Sequence, residues 1–252
     1  MKRLAPLLLV VFILAAWEIV ARSGVWNPIL FPSLARIANE LFLFFGKSDF
    51  LLEAWVSLQR AFAGFALAAL AGVTIGMLMG RSAWVAALLD PLFSGTYAVP
   101  KLALFPIFIF VFGIGSLSKV ALVFLECLYP IVIVTSQGAR GVSRVLLWSA
   151  ANMGASRAAA LRRVVVPAAA PFIFAGLRIA LPIALIVVII TEMVSSADGL
   201  GYLVIYSLAS LRTDRMLAVV VVIAALGWAL DRALVALRDR LVYWERLETY
   251  YV

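Results

Sequence analysis

Six long apolar stretches divide this chain, and they constrain its fold more than any other feature of the sequence. A helix needs about 20 apolar residues to cross the hydrocarbon core of a bilayer. Hydrophobic residues make up 65% of the 252 residues and charged residues 13%, whereas ordinary soluble domains are about 25% charged. We therefore predict an all-α, polytopic membrane protein with about six transmembrane helices. The predicted spans cover residues 4–21, 61–80, 99–112, 120–135, 172–190 and 216–234.

The first apolar stretch has two interpretations. Lys2 and Arg3 precede it, and a basic start before an apolar run is also the pattern of a secretory signal peptide. However, the run is longer than a typical signal core of about 7–15 residues, and Trp17 and Glu18 interrupt any small-residue cleavage site. The sequence therefore favours a retained helix.

The charged and metal-binding residue types narrow the function classes. The chain has no histidine and one cysteine, Cys127, so we predict no metal site and no intrachain disulfide. It has 21 Lys and Arg against 13 Asp and Glu, a net charge of +8. The basic residues are dispersed between apolar spans, which argues against nucleic-acid binding and is typical of basic cytoplasmic loops beside a lipid bilayer.

The distribution of basic residues predicts the orientation, because loops rich in Lys and Arg stay on the cytoplasmic side. With the N-terminus inside, 14 of the 21 basic residues fall on cytoplasmic segments and 7 on outside segments. The outside residues are Arg22, Arg36, Lys47, Arg60, Lys119, Arg212 and Arg215. We predict that both termini are cytoplasmic, in agreement with an even number of spans.

Small residues recur at every fourth position of the second predicted span. They are Gly64, Ala68, Gly72, Gly76 and Gly80. This spacing places them on one face of a helix, where they let a second helix backbone approach closely in lipid. We expect this face to pack within the chain, and a seam between two copies is the alternative.

Residues 136–171 form the longest and most basic stretch on the predicted cytoplasmic side. An apolar stripe at helical spacing predicts a short helix, which Gly154 can end in a left-handed turn. Ser156 can cap a second helix, which we expect Pro167 and Pro171 to end. The stripe consists of Leu146, Leu147, Ala150 and Met153. The hairpin is either an amphipathic interfacial element or a docking lever that transmits a partner's movement.

The same stretch resembles a known signature. Residues 148–154 read Trp-Ser-Ala-Ala-Asn-Met-Gly, and after nine further residues comes Val164-Val165-Val166-Pro167. In its spacing, Gly and Pro this is similar to the EAA signature of bacterial ATP-binding-cassette (ABC) importer permeases. Other short motifs over roughly residues 28–245 are similar to the nitrate/sulfonate/taurine branch of these MetI-like permeases. They are Phe31-Pro32-Ser33, Ser57-Leu58-Gln59-Arg60, Asp90-Pro91, Pro100–Pro106, Phe112–Gly115, Ala175–Arg178 and Gly199–Tyr202.

The resemblance implies a MetI-like ABC importer transmembrane domain over residues 1–252. Within it, 1–27 is an extra N-terminal helix, 55–245 the core permease and 136–171 the cytoplasmic coupling loop. Two copies would form the solute path in the bacterial inner membrane. An extracytoplasmic binding protein would deliver the solute, and two separate ATPase subunits would dock on the loop.

The resemblance also implies which residues dock the ATPase. They are Trp148, Ser149, Ala150, Met153, Gly154, Ala155, Ser156 and Arg157. The chain departs from the pattern at two positions, because Trp148 stands where the family has Glu and Ser149 where it has the first Ala. An aromatic anchor in an apolar pocket would then replace a carboxylate contact.

Gly46-Lys47-Ser48 does not complete a phosphate-binding loop. That motif needs a glycine five residues before the second glycine, and Leu41 occupies the position. The stretch also falls on the predicted outside, away from cytoplasmic ATP. We therefore predict that the chain is not an enzyme and binds no cofactor, and that the partner ATPase holds ATP and Mg²⁺.

Three residues are candidates for the solute path or its gate. A charge at mid-bilayer costs roughly 2.5–3.5 kcal/mol on insertion scales, so each such residue suggests a cavity or a partner. Glu126 lies in the fourth span and Glu192 at the outer end of the fifth, and Tyr97 is the third candidate. The alternative for Glu126 is a structural pair, and for Glu192 hydrogen bonding at a helix end. We expect Lys101 to snorkel to the inner interface.

Other functions and the substrate stay open from the residues alone. A self-contained secondary transporter would show internal repeats and coupling carboxylates, and the sequence shows no convincing repeat. A membrane-embedded enzyme would need a nucleophile–base pair, which is not visible. The resembling permeases move small anions or related nutrients. Arg60, Arg212 and Arg215 on the predicted outer surface favour an anion, although such residues also bind lipid headgroups.

Overall fold

The computed structural model describes residues 5–46 and 48–244, and all regular structure in these ranges is helical. The helices are α1 (Ala5–Arg22), α2 (Leu34–Phe45), α3 (Ser48–Arg81), α4 (Ala83–Thr96), α5 (Phe105–Phe112), α6 (Ser116–Arg140), α7 (Arg144–Asn152), α8 (Arg157–Ala160), α9 (Val166–Ser195), α10 (Leu200–Ala209) and α11 (Thr213–Leu241). A 3₁₀ turn, Lys101–Leu104, precedes α5, and a π-helical segment, Leu161–Val165, joins α8 to α9. The predicted all-α fold is confirmed.

Most of the predicted spans lie inside longer helices. Four segments are long and apolar enough to cross a membrane, and a bent helix pair is a fifth candidate. The four are Asp49–Arg81, Ser116–Arg140, Arg157–Ser195 and Thr213–Leu241. The helix α1 coincides with the first predicted span from Ala5 onwards. Lys2, Arg3, Leu4, Lys47 and Arg246 lie outside the described residues.

The chain divides into two compact units, and the boundaries fall inside α3, α9 and α11. The first unit comprises the residues up to 58 together with 189–226, and the second comprises 59–188 together with 227 onwards. In the first unit, Phe44, Phe50, Leu200 and Val219 belong to one buried cluster, with the two Phe rings stacked 4.3 Å apart. In the second unit, Met79, Phe93, Tyr129 and Val132 form another cluster.

The glycines of α3 pack against α6 within the second unit. A Cβ atom added at Gly64, Gly72, Gly76 or Gly80 would lie 2.4–2.7 Å from a side-chain atom of α6. The side chains approached are those of Val123, Ile131, Thr135 and Ala139. Ala68, on the same face, is fully buried. The expected intramolecular packing of this face is therefore confirmed.

The third predicted span, 99–112, is wrong in its bounds. The chain instead forms α4, a break, and the segment Lys101–Phe112, which is bent by 87° from α4. Pro100 directly precedes the 3₁₀ turn and Pro106 lies in the first turn of α5. A proline is compatible with a helix start because its φ is fixed near the helical value and its missing N–H would have no partner there. The two prolines therefore lie where a new helical segment begins in a new direction.

The predicted end of the second loop helix is also wrong. Pro167 and Pro171 do not end it, because α8 runs through the π segment into α9 as one helix, Arg157–Ser195. A proline normally clashes with the carbonyl four residues before it, which for Pro167 is that of Arg163. Arg163 lies in the π segment, where the wider turn changes the hydrogen-bond register. The helix can therefore continue past Pro167.

Candidate functional site

The predicted docking residues span the end of α7, the turn that follows it and the first residue of α8, and we name this segment the docking element (residues 148–157). α7 begins after Ser143, whose hydroxyl accepts a hydrogen bond from the Val145 N–H (3.3 Å). Gly154 follows its C-terminal end with a φ of +77°, a left-handed conformation that favours glycine. The Ser156 hydroxyl accepts a hydrogen bond from the Ala159 N–H (3.3 Å) and so caps α8. The predicted left-handed turn and N-cap are confirmed.

The docking element presents apolar side chains outward. Trp148 is 63% exposed and Met153 81% exposed, whereas Ala150 is buried. Ser149, Gly154, Ser156 and Arg157 are exposed, and Ala155 is half-buried. A groove of about 550 Å³ runs along this surface, between the turn and the residues of α8 and the π segment. Exposed aromatic and methionine side chains beside a groove are typical of protein interfaces.

Tyr97 lines a cavity of about 400 Å³ in the second unit. The other lining residues are Ser94, Pro130, Ile133, Val134 and Ile179. Glu126 is half-buried on α6, one helical turn before Pro130, and it makes no hydrogen bond or ion pair with residues 5–46 or 48–244. The structural pair considered for Glu126 is thus not formed with any described residue. Two of the three pathway candidates therefore belong to the elements around this cavity.

Lys101 does not snorkel to an interface as the sequence predicts. It is 7% exposed, and its Nζ donates hydrogen bonds to the carbonyls of Tyr97 (3.2 Å) and Val99 (3.4 Å). The Nζ also lies 4.0 Å from the centroid of the Tyr129 ring. Carbonyls after a helix C-terminus carry partial negative charge, and an aromatic face attracts a cation. These partners explain why the ammonium stays at the break after α4.

Glu192 anchors the start of α10 in the first unit, which we describe by itself. The side chain is 1% exposed, and its Oε2 accepts hydrogen bonds from the Ser57 hydroxyl (2.7 Å) and the Gly201 N–H (3.0 Å). The Ser57 hydroxyl in turn accepts from the Leu200 N–H (2.8 Å), and Glu53 accepts from the Gly199 N–H. Three amides at the start of α10 thus have side-chain acceptors, and the carboxylates lie at the positive end of its dipole. This geometry agrees with the helix-end interpretation of Glu192.

Sequence reasoning missed Glu53 and Ser57 as parts of this cluster. The signal available was the pair of glycines around Leu200, because a Cβ at Gly199 would lie 2.3 Å from the Glu192 carboxyl carbon. Gly199 also has a φ of +95°. The glycines mark a close approach to the backbone, but they do not reveal partners that lie more than 130 residues away along the chain.

Comparison with known proteins identifies the family. A family model described as "Binding-protein-dependent transport system inner membrane component" matches residues 72–243. The chain belongs to this family. The predicted family resemblance is thereby confirmed.

Curated relatives match almost the whole of this permease. It is 33% identical to a putative ABC transporter permease protein of Methanocaldococcus jannaschii, over 92% of this chain and 88% of that protein. It is also 33% identical to the taurine transport system permease protein TauC of Escherichia coli (92% and 86% covered). A third relative, at 31% identity, is the putative aliphatic sulfonates transport permease protein SsuC of Bacillus subtilis (94% and 86% covered).

Two solved ABC transporters share the permease fold. An inward-facing MetNI methionine ABC transporter gives a TM-score of 0.62 at 17% identity, over 76% of this chain and 95% of that one. An amino acid ABC transporter crystallised with histidines gives 0.59 at 17% identity, over 84% and 96%. These likenesses show the fold alone.

The family gives the chain its general role. It is the permease subunit of an ABC importer, a multi-pass component of an inner membrane with a transport role rather than a catalytic one. Such permeases work in general with an ATPase and a solute-binding protein. Family membership therefore favours an ATP-driven importer over a self-contained secondary transporter.

Proposed function

We propose that two copies of this permease form the solute path and that each copy docks a separate ATPase subunit through residues 148–167. ATP and Mg²⁺ are held by the ATPase, and its nucleotide cycle shifts the permease between outward-open and inward-open states by differential contacts. An extracytoplasmic binding protein delivers the solute. Both termini of the permease lie in the bacterial cytoplasm.

The observation that carries this proposal is the exposure of Trp148, on α7, and of Met153, at the turn that follows α7. Burying a large aromatic or methionine side chain in a partner pocket is typical of interface hot spots, and the surrounding polar rim excludes water. The turn is fixed by Gly154 and by the Ser156 cap, so little conformational entropy is lost when it docks. Because α8 continues into the helix that ends at Ser195, a force on the turn is transmitted along a helix.

The proposed solute is a small anion of the sulfonate type. Two relatives are named as permeases for taurine and for aliphatic sulfonates, and both align with more than nine-tenths of this chain. Their names support the class of solute, and the individual solute is selected largely by the binding protein.

Replacing Trp148 and Met153 by alanine is expected to reduce copurification of the ATPase subunit at least tenfold. The two side chains are the large apolar groups most exposed on the docking element, and loss of one interface hot spot alone costs about 2 kcal/mol or more. The measurement is the ratio of ATPase to permease after affinity purification of tagged permease from membranes.

The matched control is Trp84→Ala. Trp84 is also a tryptophan in the first turns of a helix and is 74% exposed, but it lies outside the docking element. This variant should retain the wild-type ratio of ATPase to permease. Wild-type copurification of the double variant, with normal membrane insertion, would contradict the docking proposal.

Thiol labelling tests the orientation. Cys127 is fully buried, so a membrane-impermeant maleimide should leave the natural chain unlabelled in intact cells and in inverted membrane vesicles. Arg157→Cys places a second thiol on an exposed position. In cells that lack the ATPase subunit, which would otherwise cover this position, the variant should be labelled in inverted vesicles only. Labelling in intact cells would place the docking element outside the cytoplasm and overturn the orientation.

A further inference from the structure

The break between α4 and the segment Lys101–Phe112 holds a buried positive charge. Lys101 is 7% exposed and points at the Tyr97 and Val99 carbonyls and the Tyr129 ring. No carboxylate within residues 5–46 or 48–244 forms an ion pair with it. Ionisable side chains within apolar segments of membrane proteins mark functional sites by default.

The partners of Lys101 hold the ammonium without cancelling its charge. Carbonyls and an aromatic ring contribute dipoles and a quadrupole, whose potentials fall off faster with distance than that of a unit charge. A net positive potential therefore extends beyond the contact shell.

The 400 Å³ cavity is separated from the Lys101 ammonium by the side chain of Tyr97. Tyr97 is shared, because it lines the cavity while its carbonyl accepts from Lys101 and its ring centroid lies 5.6 Å from the Nζ. The Tyr97 and Ser94 hydroxyls make no hydrogen bond with any residue that the structure describes. Two hydroxyl donors thus stand unused on a wall that is otherwise apolar.

The structure around the cavity is compatible with a position on the solute path. The backbone between α4 and α5 leaves the helical course at this point, and such irregular backbone is tolerated at membrane depth where it lines a cavity. Glu126 is the carboxylate on the same helix as Pro130, Ile133 and Val134, and it does not pair with Lys101. The charge of Lys101 is therefore not neutralised by contact.

We propose that this cavity is a transient binding site for the anionic group of the transported solute. The Ser94 and Tyr97 hydroxyls donate hydrogen bonds to the anion, and Lys101 supplies the positive potential that selects an anion over a cation of similar size. Lys101 is then a specificity-determining residue that does not contact the solute and acts through its electrostatic potential from behind Tyr97. The inference rests on the proposed import of a small sulfonate and assigns that selectivity to residues of the permease itself.

The test is equilibrium binding of radiolabelled ethanesulfonate to the purified full-length permease in lipid nanodiscs. The wild-type chain should bind ethanesulfonate and not tetramethylammonium. Lys101→Gln should weaken ethanesulfonate binding about tenfold, because the charge is lost while an amide N–H donor remains. Lys101→Arg should keep the affinity within about threefold of the wild type, since the charge is retained.

Two further variants separate binding from folding. Tyr97→Phe combined with Ser94→Ala removes both free hydroxyls but keeps the Tyr97 carbonyl and ring position that hold Lys101, so it should also weaken binding about tenfold. Arg140→Gln is the charge control. It lowers the net charge by the same amount as Lys101→Gln, but Arg140 pairs with Asp90 (2.7 Å) and does not line the cavity. It should leave ethanesulfonate binding unchanged.

Each outcome decides the proposal. Wild-type affinity in Lys101→Gln or in the double hydroxyl variant, equal binding of anion and cation, or no binding to the wild type would overturn it. The ATPase copurification ratio is measured on the same variants. If no ATPase copurifies with the wild-type permease, the proposed function is refuted. If the ATPase copurifies normally but Lys101→Gln binds ethanesulfonate as the wild type does, only the anion site is refuted.

Discussion

Replacing Gly76 by alanine is expected to lower the midpoint of thermal unfolding far more than the same replacement at Gly227. A Cβ atom at Gly76 would lie 2.7 Å from the Thr135 Cβ and 2.8 Å from the Val132 carbonyl oxygen. The second contact is with backbone, so no change of rotamer relieves it and α3 must move away from α6. Overpacking of this kind costs about 1–3 kcal/mol, and helix packing in lipid depends on such close approach.

Gly227 is the matched control because it also lies inside a long apolar helix. A Cβ there would meet the Leu185 Cδ1 at 3.5 Å, an ordinary van der Waals distance, and alanine favours a helix over glycine. Intrinsic tryptophan fluorescence on heating the detergent-purified chain measures both midpoints, and size-exclusion chromatography checks dispersity. A wild-type midpoint for Gly76→Ala would mean that α3 and α6 do not pack backbone to backbone.

Glu192→Ala is expected to destabilise the chain by about 3 kcal/mol or more. The substitution removes the acceptor of the Ser57 hydroxyl and of the Gly201 N–H, and hydrogen bonds to a charged group contribute roughly 1.5–3 kcal/mol each. Backbone hydrogen exchange at Gly201 and its neighbours should accelerate, because the start of α10 loses its cap. Thermal unfolding and hydrogen–deuterium exchange by mass spectrometry are the two measurements.

Glu126→Ala is the control for this second result. Like Glu192, Glu126 is a glutamate of a long apolar helix, but it is half-buried and makes no hydrogen bond or ion pair with a described residue. Its removal should change the free energy of unfolding of the isolated chain by less than about 1 kcal/mol. Glu192→Gln keeps an acceptor oxygen and should fall between the two. Equal losses for Glu126→Ala and Glu192→Ala would refute the capping role.

Local features of the sequence were sufficient to predict the main spans and the docking turn. Apolar length alone located the helices around residues 61–80, 120–135, 172–190 and 216–234. The caps at Ser156 and Gly154 depend only on neighbouring residues, since a side-chain cap reaches two or three residues and a left-handed turn needs one glycine. The glycine spacing of α3 predicted a packing face, but not that α6 is its partner.

Features that depend on distant residues were not predictable. α10 has 10 residues, too few to show a span, and its start is stabilised by acceptors from Glu53 and Ser57. Lys101 was misplaced because its partners appear only once the chain breaks after α4. Pro167 was misjudged because a π turn leaves no clear trace in hydropathy or spacing.

The π segment Leu161–Val165 sets the rotational phase between the docking element and α9. One π turn accommodates an extra residue relative to an α-helix, and each α-helical residue corresponds to a rotation of about 100°. Because the π turn takes up that extra residue, the helix on either side of it faces nearly as it would in a continuous α-helix one residue shorter. Deleting one residue from Leu161–Val165 is therefore expected to leave Trp148 and Met153 on nearly the same side of the axis of α9, whereas a deletion within regular α-helix would shift the facing of the residues beyond it by about 100°.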